Sequence, residues 1–358
     1  MRVLCLFSRF YTGGVSKALC FVANSCDEAG MEVHCIAMTP QPETISLNKN
    51  IYRHIVDIKE ESTGVKKLIN RASFMYKLRG TVKEIAPDVI IAFRADIVKI
   101  AVYGTYGLHI PIIASERANP LIHGNLLKTY RRIFNRCAAA VFQTKDAQLV
   151  YNVNCKSVVI PNPAVTRSNI KENSIRDGIH FVTVSRLSKE KNIIGLLHAY
   201  SMAKSALNGR KLIVYGDGPQ QKELEDMTST LQISADVVFA GNVKDFTSQN
   251  DNTKIFVLNT LSEGMPNALI EAMMSGYACI CTDCPIGAPR WLSDGGRRVR
   301  LVPVKDDQAL ADAMVELANN EEYADSLAVN AREVSKILDP DVISKEWVSL
   351  VKRVIYEN

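Results

Sequence analysis

The sequence predicts an α/β fold of two doubly wound units, and three observations support this. The chain has 358 residues, more than one hydrophobic core comfortably serves, so two units are expected. Short, β-branched apolar runs alternate with stretches of helical periodicity, which is the rhythm of a parallel sheet covered on both faces. That rhythm breaks in "PNPAVTRSNIKENSIRDG", where two prolines and polar residues interrupt it, and a linker is placed near residues 161–178.

The elements follow in order. "RVLCLFS" reads as the first strand, "SKALCFVANSCDEAG" as the first helix and "MEVHCIAM" as the next strand; "DVIIAF", "IPIIAS", "AAAVFQT" and "SVVIPNP" continue the sheet with helical segments between them. After the linker the pattern restarts with strand "IHFVTVSRL", helix "NIIGLLHAYSMAKSA", strand "KLIVYGDG", helix "PQQKELEDMTSTL" and strands "DVVFAG" and "KIFVLNT". The helix in "LSEGMPNALIEAMMSG", strand "ACICTD" and helix "DQALADAMVELANN" complete it, and "PDVISKEWVSLVKRVIYEN" reads as a long closing helix. The expected boundaries are 1–165 and 166–340, with 341–358 packing back toward the first unit. Two such units side by side would form a cleft, with ligands outside the carboxyl ends of the strands.

Composition limits the classes of function. With 47% hydrophobic and 23% charged residues the chain is globular. No apolar run approaches the roughly 18 residues of a membrane span, and "VLCLF" is too short for a signal-peptide core, so a cytoplasmic location is expected. Nine cysteines read as reduced core thiols; Cys279, Cys281 and Cys284 lack a second ligand pair, so no metal is expected there. Charge is uneven: residues 1–165 hold 21 Lys and Arg against 12 Asp and Glu, and the remainder holds 22 against 26. "VKKLINRASFMYKLRGTVKEI" and "LLKTYRRIFNRC" concentrate the basic residues. Each is either a solvated helix face or a surface for anionic lipid or a diphosphate-bearing substrate. Neither carries a nucleic-acid motif.

Four post-strand loops carry the chemistry. Gly13 and Gly14, between the first strand and helix, either make a tight turn or let amides approach a phosphate. In "VSRLSKEKN", Arg186 and Lys191 either neutralise a diphosphate or form a surface ion-pair loop with Glu190. Gly216 to Pro219 turn a strand into a helix, and Asp217 is either scaffolding or part of a nucleotide pocket. In "LSEGMPNALIEAMMSG", Pro266 suits the first helical turn and Gly276 the C-terminal cap. Glu263 precedes the helix and Glu271 lies within it, two carboxylates suited to vicinal hydroxyls on two sugars of one ligand.

These motifs together resemble glycosyltransferase family four, retaining enzymes of GT-B fold. "EGMPNALIE" is similar to their E-x7-E signature, "VSRLSKEKN" to their donor-phosphate motif, "GDGP" to the following turn and "FAGNVKD" to the base-binding loop. "TDCPIGAPRWL" and "LVPVKDDQALADAM" resemble bacterial polysaccharide-assembly members, with order and spacing agreeing over residues 180–320 and more loosely through "GGVSKAL". The resemblance implies two Rossmann-like domains facing a cleft, and sugar transfer from a nucleotide diphosphate, most commonly of uridine in the family, without a required metal or other cofactor. It implies that Arg186 and Lys191 stabilise the departing diphosphate, Glu263 binds the donor sugar and Glu271 the ribose. The amides of Gly264, Met265, Pro266's neighbourhood and Asn267 would face the donor, with Gly13 and Gly14 opposite, Gly216 and Asp217 shaping the pocket, and Asn242 and Val243 meeting the base.

The implied acceptor is a lipid-diphosphate-linked glycan or polysaccharide in bacterial surface-glycan assembly, at the anionic inner face of the membrane. On the acceptor or phosphate side stand Lys17, Glu116 and Arg117. Many relatives carry a histidine where "ASERANP" has Arg117, which cannot accept a proton at neutral pH. Arg117 then either serves a phosphate or pairs with Glu116, and His123 either substitutes in space or is merely exposed. The single D-x-D, "DPD" at Asp339 to Asp341, suits helix capping better than a divalent cation. The competing readings are an epimerase or hydrolase of the same fold, and a non-catalytic partner subunit that binds nucleotide sugar. The latter is expected to have lost the phosphate cations or the glutamates, and both pairs are present.

Overall fold

The computed structural model describes residues 1–10, 14–39, 44–57, 64–164, 178–249 and 252–358, with 64–68 described at the backbone alone. Gly13 and most of the expected linker lie outside the described residues. The chain divides into two compact units, Met1–Pro163 with Pro340–Asn358, and Ala164–Asp339.

The first unit holds β1 (Arg2–Phe7), α1 (Gly14–Glu28), β2 (Glu32–Ala37), β3 (Tyr52–Ile55), α2 (Gly64–Ile85), β4 (Val89–Phe93) and α3 (Ala95–Gly104). It continues with β5 (Ile112–Ser115), a 3-10 segment at Pro120–Leu126, α4 (Leu127–Phe134), β6 (Ala139–Phe142), α5 (Lys145–Tyr151) and β7 (Lys156–Val159). Its strands form one sheet in the order β3-β2-β1-β4-β5-β6-β7, every pairing parallel.

The second unit holds β8 (His180–Val184), α6 (Ile193–Ala203), β9 (Leu212–Tyr215), α7 (Gln221–Thr230), β10 (Val237–Gly241), β11 (Thr253–Leu258) and α8 (Asn267–Met274). It ends with β12 (Ala278–Thr282), α9 (Ala288–Ser293), β13 (Arg300–Val302), α10 (Asp307–Asn319), α11 (Glu321–Ala331) and α12 (Val334–Ile337). Its order is β10-β9-β8-β11-β12-β13, again parallel throughout. Both units are therefore doubly wound, as the sequence predicts. In each sheet the direction of strand addition reverses once, between β1 and β4 and between β8 and β11, and the crevice at such a reversal is where open α/β sheets bind ligands.

The continuous apolar runs have a direct cause. Alternate residues of a strand face opposite sides, and both sides of the second sheet are covered. Leu212, Val214, Ile255, Val257, Ala278 and Ile280 join one core, while Ile213, Tyr215, Phe256, Leu258, Cys279 and Cys281 join the other. Cys279 and Cys281 are thus core residues of β12. Among the described residues no group of three His, Cys, Asp or Glu is placed to hold a metal ion.

After the second unit the chain returns to the first as α13 (Pro340–Glu357). Its Ile343, Trp347, Leu350, Val351 and Val354 are buried in one core with Val3, Cys5 and Phe7 of β1 and Leu19 and Val22 of α1. Burying aliphatic side chains of this size contributes about 1.5–3 kcal/mol each relative to exposure. Among the described residues no helix is long and apolar enough to cross a membrane.

Candidate active site

The site in the second unit is built where β8, β9 and β11 end. After β8 the chain runs through Ser185, Arg186 and Leu187 into a 3-10 turn at Lys189–Lys191. Leu187 is fully buried, and its amide donates to the Asp217 carbonyl (2.7 Å) while its own carbonyl accepts from the Gln220 amide (3.1 Å). Two backbones can meet this closely because Gly216 and Gly218 lack a Cβ. One on Gly216, at φ 130°, would lie 1.8 Å from the Ser185 carbonyl oxygen, and one on Gly218 would lie 2.4 Å from that of Leu187. The same turn brings Asp217 to Asn242, whose Nδ2 donates to Oδ2 at 2.9 Å. Three of the expected donor-binding residues, Gly216, Asp217 and Asn242, are thereby gathered. Val243 packs its side chain on the core and leaves only backbone for a base.

The two expected cations have different environments. Arg186 is largely exposed and donates to Glu190 one helical turn on, at 2.9 Å. Burial pushes the Glu190 carboxyl up, but hydrogen bonds from its own amide and Ser188, with Arg186 and Lys191 nearby, hold it below its ordinary value. Lys191 instead meets Glu263: Nζ lies 2.5 Å from Oε1, with the side chains only 16% and 14% exposed. This contact spans the β8–β11 reversal.

Its geometry is enforced by the backbone around it. Asn259 Nδ2 donates to the Asn192 carbonyl (3.1 Å), and the Glu190 carbonyl accepts from both the Leu261 amide (2.8 Å) and Thr260 Oγ1 (3.1 Å). Thr282, at the end of β12, fixes Thr260 from behind: its Oγ1 accepts from the Thr260 amide (3.0 Å) and donates to the Thr260 carbonyl (2.6 Å). Apart from Glu190, none of these scaffolding residues was singled out from the sequence, because they act through neighbours distant along the chain.

Beyond Glu263, helix α8 starts at Asn267, so Pro266 is the residue before the helix, with extended ψ, and brings no capping side chain to the first-turn amides. Gly264 and Asn267 are partly exposed, whereas the Met265 side chain belongs to the core. Gly276 ends α8 at φ 74°. Its amide donates to Met273 and that of Tyr277 to Ala272, the two bonds of a Schellman cap. Glu271 is partly buried within the helix. The thiol of Cys284 is pushed up to about 11 by burial first and then by the charge of Glu263.

In the first unit Gly14 opens α1 and Lys17 is exposed in its first turn. Glu116 and Arg117, at the carboxyl end of β5, are 2% and 7% exposed. Glu116 Oε1 accepts from the amides of Arg117 (2.9 Å) and Ala118 (3.1 Å). Its Oε2 lies 2.9 Å from both His123 Nε2 and the Tyr151 hydroxyl. The Arg117 guanidinium sits 4.6 Å from the centroid of Phe93 and 5.3 Å from that of Trp347, and donates to the Ile160 carbonyl and Asn162 Oδ1. Burial lowers its pKa to about 9, opposed by Glu116.

The sequence left Arg117 either an ionic role toward a phosphate or a pairing with Glu116; the structure places its guanidinium inside the first unit, and it is the Arg117 amide that meets the Glu116 carboxylate. Both are internal, and Arg117 braces α13 by cation–π contact. His123, left open by the sequence, is held on the buried carboxylate of Glu116.

A family model described as glycosyl transferases group 1 matches residues 166–334, which contain the whole of this second-unit arrangement. A Campylobacter jejuni relative, GalNAc-alpha-(1->4)-GalNAc-alpha-(1->3)-diNAcBac-PP-undecaprenol alpha-1,4-N-acetyl-D-galactosaminyltransferase, is 26% identical over 99% of both chains. A lipopolysaccharide core biosynthesis glycosyltransferase of Rhizobium meliloti is 24% identical over 75% of this chain and 77% of its own. Among solved structures, sucrose-phosphate synthase of Thermosynechococcus elongatus aligns over 100% of both chains with TM-score 0.83 and 15% identity. An Anabaena protein in complex with UDP-glucose aligns over 99% of this chain and 100% of its own, with TM-score 0.79 and 16% identity. These likenesses place both units of the glycosyltransferase in the GT-B fold.

Proposed function

We propose that this glycosyltransferase moves a sugar, with retention, from a uridine diphosphate sugar to a hydroxyl of a lipid-diphosphate-linked glycan at the cytoplasmic face of a bacterial inner membrane. The carrying observation is the Lys191–Glu263 contact across the β8–β11 reversal, with Arg186 on the same loop as Lys191. The undecaprenol-linked acceptor in the name of the Campylobacter jejuni relative supports the acceptor class.

The arrangement suits charge exchange. A donor diphosphate takes Lys191 and Arg186 from their carboxylate partners, which frees Glu263 to accept hydrogen bonds from donor-sugar hydroxyls. The acceptor oxygen bonds to the anomeric carbon, the carbon–oxygen bond to the diphosphate breaks, and its electron pair stays on the diphosphate. The acceptor proton passes to a departing phosphate oxygen. The two cations, already placed, stabilise the charge that develops there. Glu271 holds the ribose, and the backbone of Asn242 and Val243 the base. No metal is required in this scheme.

The test is transfer from the true donor by Arg186→Ala and Glu263→Ala, each expected to lose about 100- to 1,000-fold in turnover. Unchanged transfer in both variants sinks the reading. Incubation with donor alone separates a transferase, which releases little nucleotide, from a hydrolase.

A further inference from the structure

We propose that the 3-10 segment Pro120–Leu126, with the exposed side of α4, is a membrane-docking surface that inserts aliphatic side chains into an anionic bilayer. It gives a specific surface to the membrane location proposed above, and rests on that reading for its purpose alone. Within seven residues, Leu121, Ile122 and Leu126 are 49%, 63% and 56% exposed. Single exposed aliphatics are ordinary, but three within six residues are the start of a patch with a partner.

The segment is anchored from beneath. Asn119 Oδ1 accepts from the Leu121 amide (2.9 Å), Pro120 is buried, and His123 is fixed on Glu116. At Gly124 the backbone leaves helical geometry, with φ 49° and ψ −125°, before α4 begins.

The charge beside the segment has one sign. No Asp or Glu stands between Glu116 and Asp146, whereas Arg117, Lys128, Arg131, Arg132, Arg136 and Lys145 all do. Arg117 is buried, and Arg131 is used internally, donating to the carbonyls of Tyr151 and Val150. Lys128 and Arg132 are exposed, and neither makes an ion pair with a carboxylate among the described residues.

Exposed aliphatics next to unneutralised cations are the two signals that together hold a protein at an anionic lipid interface, where either alone binds weakly. A bilayer is favoured over a protein partner because it needs no matching shape and meets uniform positive charge with its own negative charge. The segment follows β5 at the carboxyl edge of the first sheet, so docking there brings that edge to lipid headgroups.

The experiment is flotation of the full chain with vesicles of phosphatidylcholine alone or mixed with phosphatidylglycerol, at low and high salt. No donor or acceptor is present, so the result is independent of the transfer assay: failed transfer would sink the functional reading and leave this one standing. The wild-type chain is expected to bind the anionic vesicles. The triple variant L121S/I122S/L126S should lose about tenfold or more at both salt concentrations, since apolar insertion is not screened. Charge reversal in K128E/R132E should abolish the preference for phosphatidylglycerol and its salt sensitivity. Melting profiles confirm that each variant is folded at the assay temperature, and because the two variants change separate residues, either alone tests the surface. Wild-type binding by both variants places any membrane contact elsewhere, and no binding to either vesicle leaves the face to a protein partner; each result overturns the proposal.

Discussion

At the scale of residues, the Lys191–Glu263 pair has a cost that appears when it is broken. Both side chains are about six-sevenths covered, so removing the cation leaves a carboxylate with little water to replace it. We expect Lys191→Met to destabilise the second unit by about 1–3 kcal/mol, and the double variant K191M/E263Q to recover much of that loss. Denaturant melts of the two variants check this; equal stabilities would mean that the pair is not coupled. Neither residue's partner was legible in the sequence. Lys191 and Glu263 were each picked out by residue type and motif, but 72 residues separate them, and only the placement of β11 beside β8 brings them together. Arg117 shows the opposite failure. The sequence offered it a phosphate or Glu116 as partner, yet Phe93 at the end of β4 and Trp347 on α13 enclose the guanidinium, and no local pattern announces such a cage.

At the scale of elements, what could be read followed burial. Strands enclosed on both faces, such as β4 with "VIIAF", announce themselves as unbroken apolar runs. The edge strand β3, "YRHI", is largely exposed, and β13 is three residues long, so neither carries a period to detect. Helices α9, α11 and α12 were also missed; α9 and α12 span six and four residues, too short for a helical repeat to stand out. The closing helix was legible because its buried positions Ile343, Trp347, Leu350, Val351 and Val354 keep to one helical stripe. Its docking rests heavily on Trp347, 1% exposed. Trp347→Ala is expected to cost about 3–5 kcal/mol, with an added loss from Arg117, which would then lose an aromatic wall of its cage. A drop in melting temperature confined to the small shift of a surface substitution would contradict this.

At the scale of the whole molecule, both sheets add strands outward from a first central strand in the same pattern. That repetition was visible as a rhythm that stops and restarts, although the sequence could not show which loop ends meet across each reversal. Ligand binding by the second unit should register in the stability of the protein. A cognate nucleotide sugar at about a hundred times its Kd stabilises the folded state by about 2.7 kcal/mol. A melting-temperature screen across nucleotide sugars should therefore single out uridine donors. A uniform absence of shift with uridine donors, or a larger one with another base, would overturn the assignment of the donor.

The return of α13 has a consequence for biosynthesis. The first unit is discontinuous, its last 19 residues following the whole of the second, while the Ala164 amide donates to the Leu338 carbonyl at 2.8 Å. The second unit is thus a loop-like insertion whose two ends meet. Domains generally fold in the order in which the ribosome delivers them; here the inserted unit can close while its host still lacks a helix. Until Pro340–Asn358 has been delivered, the face of β1 and α1 that α13 covers stays open to water and to chaperones, so the first core closes only after the whole second unit has been made.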